Sequence, residues 1–162
     1  MKTKEQREQN SARTGFAESR ESKANGQTKE QREQNSANGQ QKRTTPERIT
    51  ELQPNEIFVF GSNLRGMHGG GAAYVAYRKF GAIMGQGIGL QGQSYAIPTM
   101  QGGVETIRPY VDEFIAFAKE HKDLTFLVTR IGCGIAGFTD DEISPLFEKA
   151  HDEENIVLPP GW

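Results

Sequence analysis

Apolar side chains gather in the chain from residue 55 onward, and their spacing changes along it. Asn55–Phe60 ends in an unbroken Ile-Phe-Val-Phe run bounded by Pro54 and Gly61, which predicts a short buried strand. A loop over Gly61–Gly71 follows, and Ala72–Phe80 (AAYVAYRKF) predicts a helix whose small residues let it lie close to a sheet. Glycines at 81, 85, 87, 89 and 92 make Gly81–Gly92 a loop, and Ser94–Ile97 a strand that stops at Pro98. Ile107, Val111, Phe114, Ile115 and Ala118 fall on one stripe of an amphipathic helix. Pro109 fits only its first turn, so that helix starts near Thr106 or Ile107. Leu124–Ile131 (LTFLVTRI) is the most strand-like run, and Gly132–Phe138 is a tight loop after it. Thr139 and Glu142 have the spacing of a capping box, with Ser144-Pro145 as an alternative second helix start. Ile156–Leu158 is a last strand before Pro159 and Pro160. Strands alternating with helices predict a mostly parallel α/β sheet whose ligand site lies at the carboxyl ends of its strands.

Composition divides the chain near residue 50. Residues 1–50 hold only seven apolar side chains, against 49 of the next 112. The first segment therefore buries too little to offset the backbone ordering cost of about 1–2 kcal/mol per residue. Thr3–Ala12 reads TKEQREQNSA, and Thr28–Ala37 repeats it letter for letter. Two copies fall short of the three or so units a stacked array needs. Residues 1–47 are thus expected to be a disordered, low-complexity tail, with transient helix in its KEQREQ stretches, and 48–162 the folded domain.

Charge follows the same division. Residues 1–50 carry 11 Lys and Arg against 7 Asp and Glu, and residues 51–162 carry 8 against 14. A domain of net charge −6 without a basic stripe argues against direct nucleic-acid binding. The single cysteine, Cys133, excludes a disulfide framework and a multi-cysteine metal site, so no metal and no cofactor is expected. No apolar run approaches the ~18 residues of a membrane span, and the polar start lacks a signal peptide's apolar stretch. A cytoplasmic protein with no membrane partner is the expectation.

The pattern G-x-G-x-x-G occurs twice, at Gly87, Gly89, Gly92 and at Gly132, Gly134, Gly137. The first copy runs into a strand and fails the context test; the second follows a strand and opens a capped helix. Amides of a glycine turn at a helix N-terminus hold phosphate oxygens without any lysine, which suits an acidic domain. A full dinucleotide-binding domain is excluded because only about 25 residues follow the motif, and a P-loop because no Gly-Lys-Ser/Thr does. Gly66–Gly71 (GMHGGG) also joins a strand to a helix, so two glycine loops at neighbouring strand ends predict one cleft.

These residues resemble the macrodomains, modules that bind ADP-ribose. Gly69–Gly71 opening a helix of small residues is similar to their first phosphate-contacting loop, and Gly132-Cys-Gly-Ile-Ala-Gly-Phe138 to their second. Arg78–Gly81, Thr99–Met100 and Arg130–Gly134 are similar to the branch containing terminal ADP-ribose protein glycohydrolase, the likeness covering residues 56–158. The resemblance implies a three-layer α/β/α fold around a mixed sheet and an ADP-ribose or ADP-ribosylated macromolecule as partner. It implies a ligand site over Gly69, Gly70, Gly71, Gly132, Cys133, Gly134, Ile135, Ala136, Gly137 and Phe138, and the residues themselves add Asn63 for a ribose hydroxyl and His68 for a phosphate or ribose. The chain departs from it where hydrolysis would be carried out. The branch's lysine nucleophile falls at Thr99 or Met100, its acid partner at Ala136, and the aspartate of another hydrolase branch at Ala73. The acid that reads adenine has no counterpart other than Asn55 or Glu56.

Two side chains remain as catalytic candidates. Cys133 offers a thiolate with His68 as its base, provided the two meet; otherwise Cys133 is a small core residue behind the loop. Phe138 has a stacking and a core reading, and Asn63 a ribose-contacting and a turn-forming one. His121 and His151 are ordinary charges after helices. Three functions follow: an ADP-ribose-binding module, a hydrolase of ADP-ribosylated substrates with an atypical catalytic set, and an interaction module with a vestigial cleft.

Overall fold

The computed structural model of the protein describes residues 43–162. Both TKEQREQNSA copies, and the expected disorder of residues 1–42, lie outside the described residues. Thr44–Trp162 forms one compact unit, so the folded part begins at Thr44 rather than at 48. Thr45 explains the difference. It is buried, its N–H donates to the Leu158 carbonyl at 2.9 Å, and its hydroxyl donates to the Val157 carbonyl at 3.0 Å. A polar Thr-Thr-Pro stretch carries no apolar signal of that docking.

Five strands form one sheet: β1 Glu56–Ser62, β2 Gly89–Gln91, β3 Ser94–Pro98, β4 Thr125–Val128 and β5 Ile156–Val157. Their order is β2-β3-β1-β4-β5. All neighbours pair in parallel except β2 with β3, which makes the sheet mixed. Three α-helices accompany it among the described residues: α1 Gly71–Lys79, α2 Arg108–Lys119 and α3 Asp140–Ile143.

Alternate side chains of β1 separate the two faces. Ile57 and Val59 join Tyr95, Ile97, Phe126 and Val128 under the α2 stripe Val111, Phe114, Ile115 and Ala118. Phe58 and Phe60 face the other way and pack with Ala96 against Ala73, Ala76 and Phe80. Ala73 and Ala76 hold α1 close to the sheet, as the small-residue pattern predicts. Each fully buried Phe on these faces contributes about 1.5–3 kcal/mol relative to exposure. Helices thus cover both faces of an α/β sheet with β1 at its centre.

Three expectations are corrected. The Gly81–Gly92 loop contains β2, whose three residues are too short and glycine-rich to register as a strand. β4 ends at Val128, because Thr129, Arg130 and Ile131 already turn toward the glycine loop; the Ile131 N–H donates to the Thr129 carbonyl at 2.7 Å. The capped helix α3 is only four residues long. Its Thr139–Glu142 capping box is present, but Ser144-Pro145 begins a 3-10 segment, Ser144–Asp152, kinked at Phe147. No helix among the described residues is long and apolar enough to cross a membrane.

Candidate functional site: a glycine-lined cleft at the strand ends

The carboxyl ends of the three central parallel strands make the floor of a cleft of about 180 Å³. Gly61 and Ser62 come from β1, Thr99 and Met100 from beyond β3, and Thr129–Ile131 from beyond β4. In a sheet whose first helix lies on one face and whose later helices lie on the other, this is where the loops splay apart. The floor is braced by hydroxyls. Thr99 donates to the Ser62 carbonyl at 3.3 Å, Thr129 to the Val59 carbonyl at 2.8 Å, and Ser62 to the Gly87 carbonyl.

The walls are the two glycine loops. Gly70, Gly71, Ala72 and Ala73 line one side, and Gly132, Gly134, Ile135 and Ala136 the other. Helix α1 opens at Gly70, which has no side chain to cap it, and no acidic residue stands in the first turn. Its first internal backbone bond, from the Tyr74 N–H to the Gly70 carbonyl, leaves the earlier N–H groups outside the helical ladder. In the second loop the N–H groups of Gly134, Ile135 and Ala136 have no acceptor among the described residues. Those loop amides, rather than α3, are the donors on this side. The first turn of α3 carries Asp140, Asp141 and Glu142, and its capping box already occupies the backbone N–H groups of Thr139 and Glu142.

Arg130 is the titratable side chain in the cleft lining. Its guanidinium reaches Asp140 at 2.9 Å, Glu47 at 3.1 Å and the Pro160 carbonyl at 3.2 Å. The same Asp140 oxygen accepts from the Trp162 indole N–H at 2.8 Å. Hydrogen bonds from Trp162 and then Arg130 hold the Asp140 carboxyl below the usual carboxylate range. Arg130 also lines a second, larger groove of about 560 Å³, between residues 45–50 and α1, and Ala72 and Thr129 are shared by the two as well.

Seven of the expected site residues line the cleft: Asn63, Gly70, Gly71, Gly132, Gly134, Ile135 and Ala136. Asn63 is committed to its turn, accepting from the Met67 N–H at 2.9 Å and donating to the Met67 carbonyl at 3.0 Å. Gly69, Gly137, His68, Cys133 and Phe138 stand outside the lining. His68 braces the core. It is fully buried, edge-on to the Phe60 ring at 5.3 Å, with Nε2 3.0 Å from the Gln86 carbonyl, which sets the Nε2–H tautomer. Phe138 packs against the α2-side core, and its N–H closes the loop on the Gly132 carbonyl at 2.8 Å.

Cys133 follows the core alternative of its two readings. Its sulfur lies 3.7 Å from Asp140 Oδ1 and packs on the core. Burial first, then the Asp140 charge, push its thiol up to about 11, so no thiolate forms at neutral pH. Its partners and those of His68 are different residues, so the two candidates do not form a nucleophile–base pair. The glycines of the first G-x-G-x-x-G copy have a structural reason. A Cβ on Gly87 would stand 2.1 Å from the Asn63 carbonyl oxygen, so the 83–87 loop approaches the 63–66 turn only without a side chain there.

Gly61, Ser62, Met67, Ala72, Thr129, Arg130 and Ile131 line the cleft as well, beyond the residues expected there. The signal was present, since most of them stand where a legible strand ends. No group of three or more His, Cys, Asp or Glu able to hold a metal ion occurs among the described residues. The fold and site define an α/β protein with a glycine-lined cleft at the carboxyl edge of a mixed sheet. Comparison with protein-family models, with curated proteins and with solved structures finds no match to this chain.

Proposed function

We propose that the protein binds ADP-ribose, or a related nucleotide diphosphate, with the diphosphate in the glycine-lined cleft. The observation that carries this reading is that two glycine loops, far apart in sequence, wall one cleft with amides that have no acceptor among the described residues. Such amides suit phosphate oxygens in a domain whose net charge repels anions. The cleft alone is smaller than the ~300–1,000 Å³ of ordinary ligand pockets, and the adjoining groove supplies room for the nucleoside half.

Binding is favoured over hydrolysis by the lining itself. The positions that the resembled hydrolases use hold Ala73, Thr99, Met100 and Ala136, all in the lining, and the Thr99 hydroxyl is spent on a backbone carbonyl. Arg130 is neutralised by two carboxylates and offers neither a base nor a nucleophile. The interaction-module reading has one observation of its own: Leu64, Met67, Ile83, Met84 and Ile88 are exposed on loops that meet through the Gly85 N–H and Gly66 carbonyl, and Leu90 of β2 is exposed as well.

Thermal unfolding of the full chain with ADP-ribose tests the proposal. Ligand at 100 times its dissociation constant adds about 2.7 kcal/mol of stability, a shift of several degrees. An unmoved transition at millimolar ADP-ribose would leave the interaction reading, which self-association by ultracentrifugation then checks.

A further inference from the structure

The larger groove carries an unusual concentration of unneutralised positive charge. Thr44–Trp162 has nine Lys and Arg against fifteen Asp and Glu. Arg108, Lys119, Lys122 and Arg130 are in salt bridges. Five cations have no carboxylate partner among the described residues, and three of these, Arg48, Arg78 and Lys79, line this one groove. Glu47, the carboxylate in the same lining, is paired with Arg130, so these three cations leave the groove locally positive in a domain with a surplus of acids.

The groove also has an apolar wall. Ile49 and Val75 pack on the α1-side core, and Tyr74 is half exposed beside them. Arg78 donates to the Tyr74 hydroxyl at 3.3 Å and lies 5.9 Å from its ring centre, which holds ring and guanidinium together. Wall and ring suit a flat nucleoside, and the cations suit an anion carried beside it. The diphosphate does not use them, because its place is the glycine-lined cleft on the other side of Ala72, Thr129 and Arg130.

Resting on the proposed function, we infer that the larger groove recognises a further phosphate, a phosphomonoester on the ribose of the ligand's nucleoside half. Arg48, Arg78 and Lys79 receive it, so the protein selects a phosphorylated nucleotide diphosphate over the unphosphorylated one. An arginine near the ribose is a general means of accepting such a group, and its fork matches phosphate geometry. The cost of bringing a doubly charged group to an acidic domain is offset only where cations are free, and this groove is that place.

Calorimetry on the full chain with three ligands tests the inference: ADP-ribose, its adenosine-2′-phosphate form and its adenosine-3′-phosphate form. One of the phosphorylated isomers is expected to bind about tenfold or more tightly than ADP-ribose, a difference that shrinks as salt rises. The triple substitution Arg48→Gln, Arg78→Gln, Lys79→Gln is expected to bring that ratio to within about twofold. Arg65→Gln together with Lys149→Gln, which removes two cations outside the groove, is expected to leave the ratio as it is. Equal affinity for all three ligands, or a preference that survives the triple substitution, would overturn the inference while leaving ADP-ribose binding standing. Failure of every ligand to bind would overturn both.

Discussion

Gly70 and Ile135 meet across the mouth of the cleft: a Cβ built on Gly70 would lie 3.3 Å from Ile135 Cδ1. The side chain that spans the gap is itself 76% exposed, so it is held by little else. Gly70 has extended backbone angles, φ −155° and ψ 166°, which any residue adopts. Gly70→Val is expected to cost about 1 kcal/mol, from the poorer helix cap and from crowding of Ile135. Ile135→Ala alone should cost less than about 0.5 kcal/mol. Because the two positions touch, the double variant should recover part of the Gly70→Val loss in urea denaturation. Strict additivity would mean that the loops do not meet in solution.

A second expectation concerns Gly87. The Asn63 carbonyl oxygen stands where its Cβ would be, and the neighbour is backbone that cannot swing aside. Gly87→Ala should therefore destabilise the fold by more than about 2 kcal/mol. Gly69→Ala, with nothing within 4 Å of the added carbon, should be nearly neutral. Equal midpoints for the two variants in urea would contradict the close approach of the loops.

The boundary of the folded unit is open to truncation. Residues 1–42 have almost nothing apolar to bury, and deleting them should leave the melting temperature unchanged. Extending the deletion to residue 46 removes both bonds of Thr45 to Val157 and Leu158 and exposes their buried carbonyls. That step should cost about 1–3 kcal/mol, read by differential scanning calorimetry as a lower transition. Identical transitions for the two truncations would return the boundary to residue 48.

Cys133 supplies a pH signature. Its thiol is raised to about 11, and the thiolate is the reactive form. Alkylation by iodoacetamide should be slow at pH 7 and rise about tenfold per unit through pH 10, where an ordinary thiol has already levelled off. Asp140→Asn removes a negative neighbour, so the profile should move to lower pH. A plateau below pH 9 in the unsubstituted protein would contradict the environment described for the sulfur and revive the thiolate candidate.

Much of the fold was legible because its elements carry plain periodicity. The β1 run Ile57–Phe60 and the α2 stripe from Ile107 to Ala118 bury the residues that their spacing predicts. Thr139 and Glu142 form the capping box their spacing implies, yet nothing local shows that α3 stops after one turn. β2 went unseen because Gly89-Leu90-Gln91 owes its conformation to pairing with β3, a tertiary contact. The cleft was legible through its glycines, since both glycine-rich loops follow strands that the apolar runs mark out. The burial of His68 has no local signal, because it comes from Phe60 and Gln86, which lie outside its own glycine-rich loop. Thr45, Arg48, Tyr74 and Arg130 come together around one groove only after folding.

The most direct test of the account is calorimetric titration of ADP-ribose into the full chain and its Gly134→Glu variant. Gly134 has no positive φ, and a Cβ built on it meets no atom within 4 Å, so the variant should fold with an unchanged transition. Its carboxylate would stand in the loop proposed to receive the diphosphate, adding bulk and a like charge there. The account predicts a measurable affinity for the unsubstituted chain and none for the variant. Equal affinity in a folded Gly134→Glu protein would place the ligand elsewhere and contradict the glycine-lined cleft as its site.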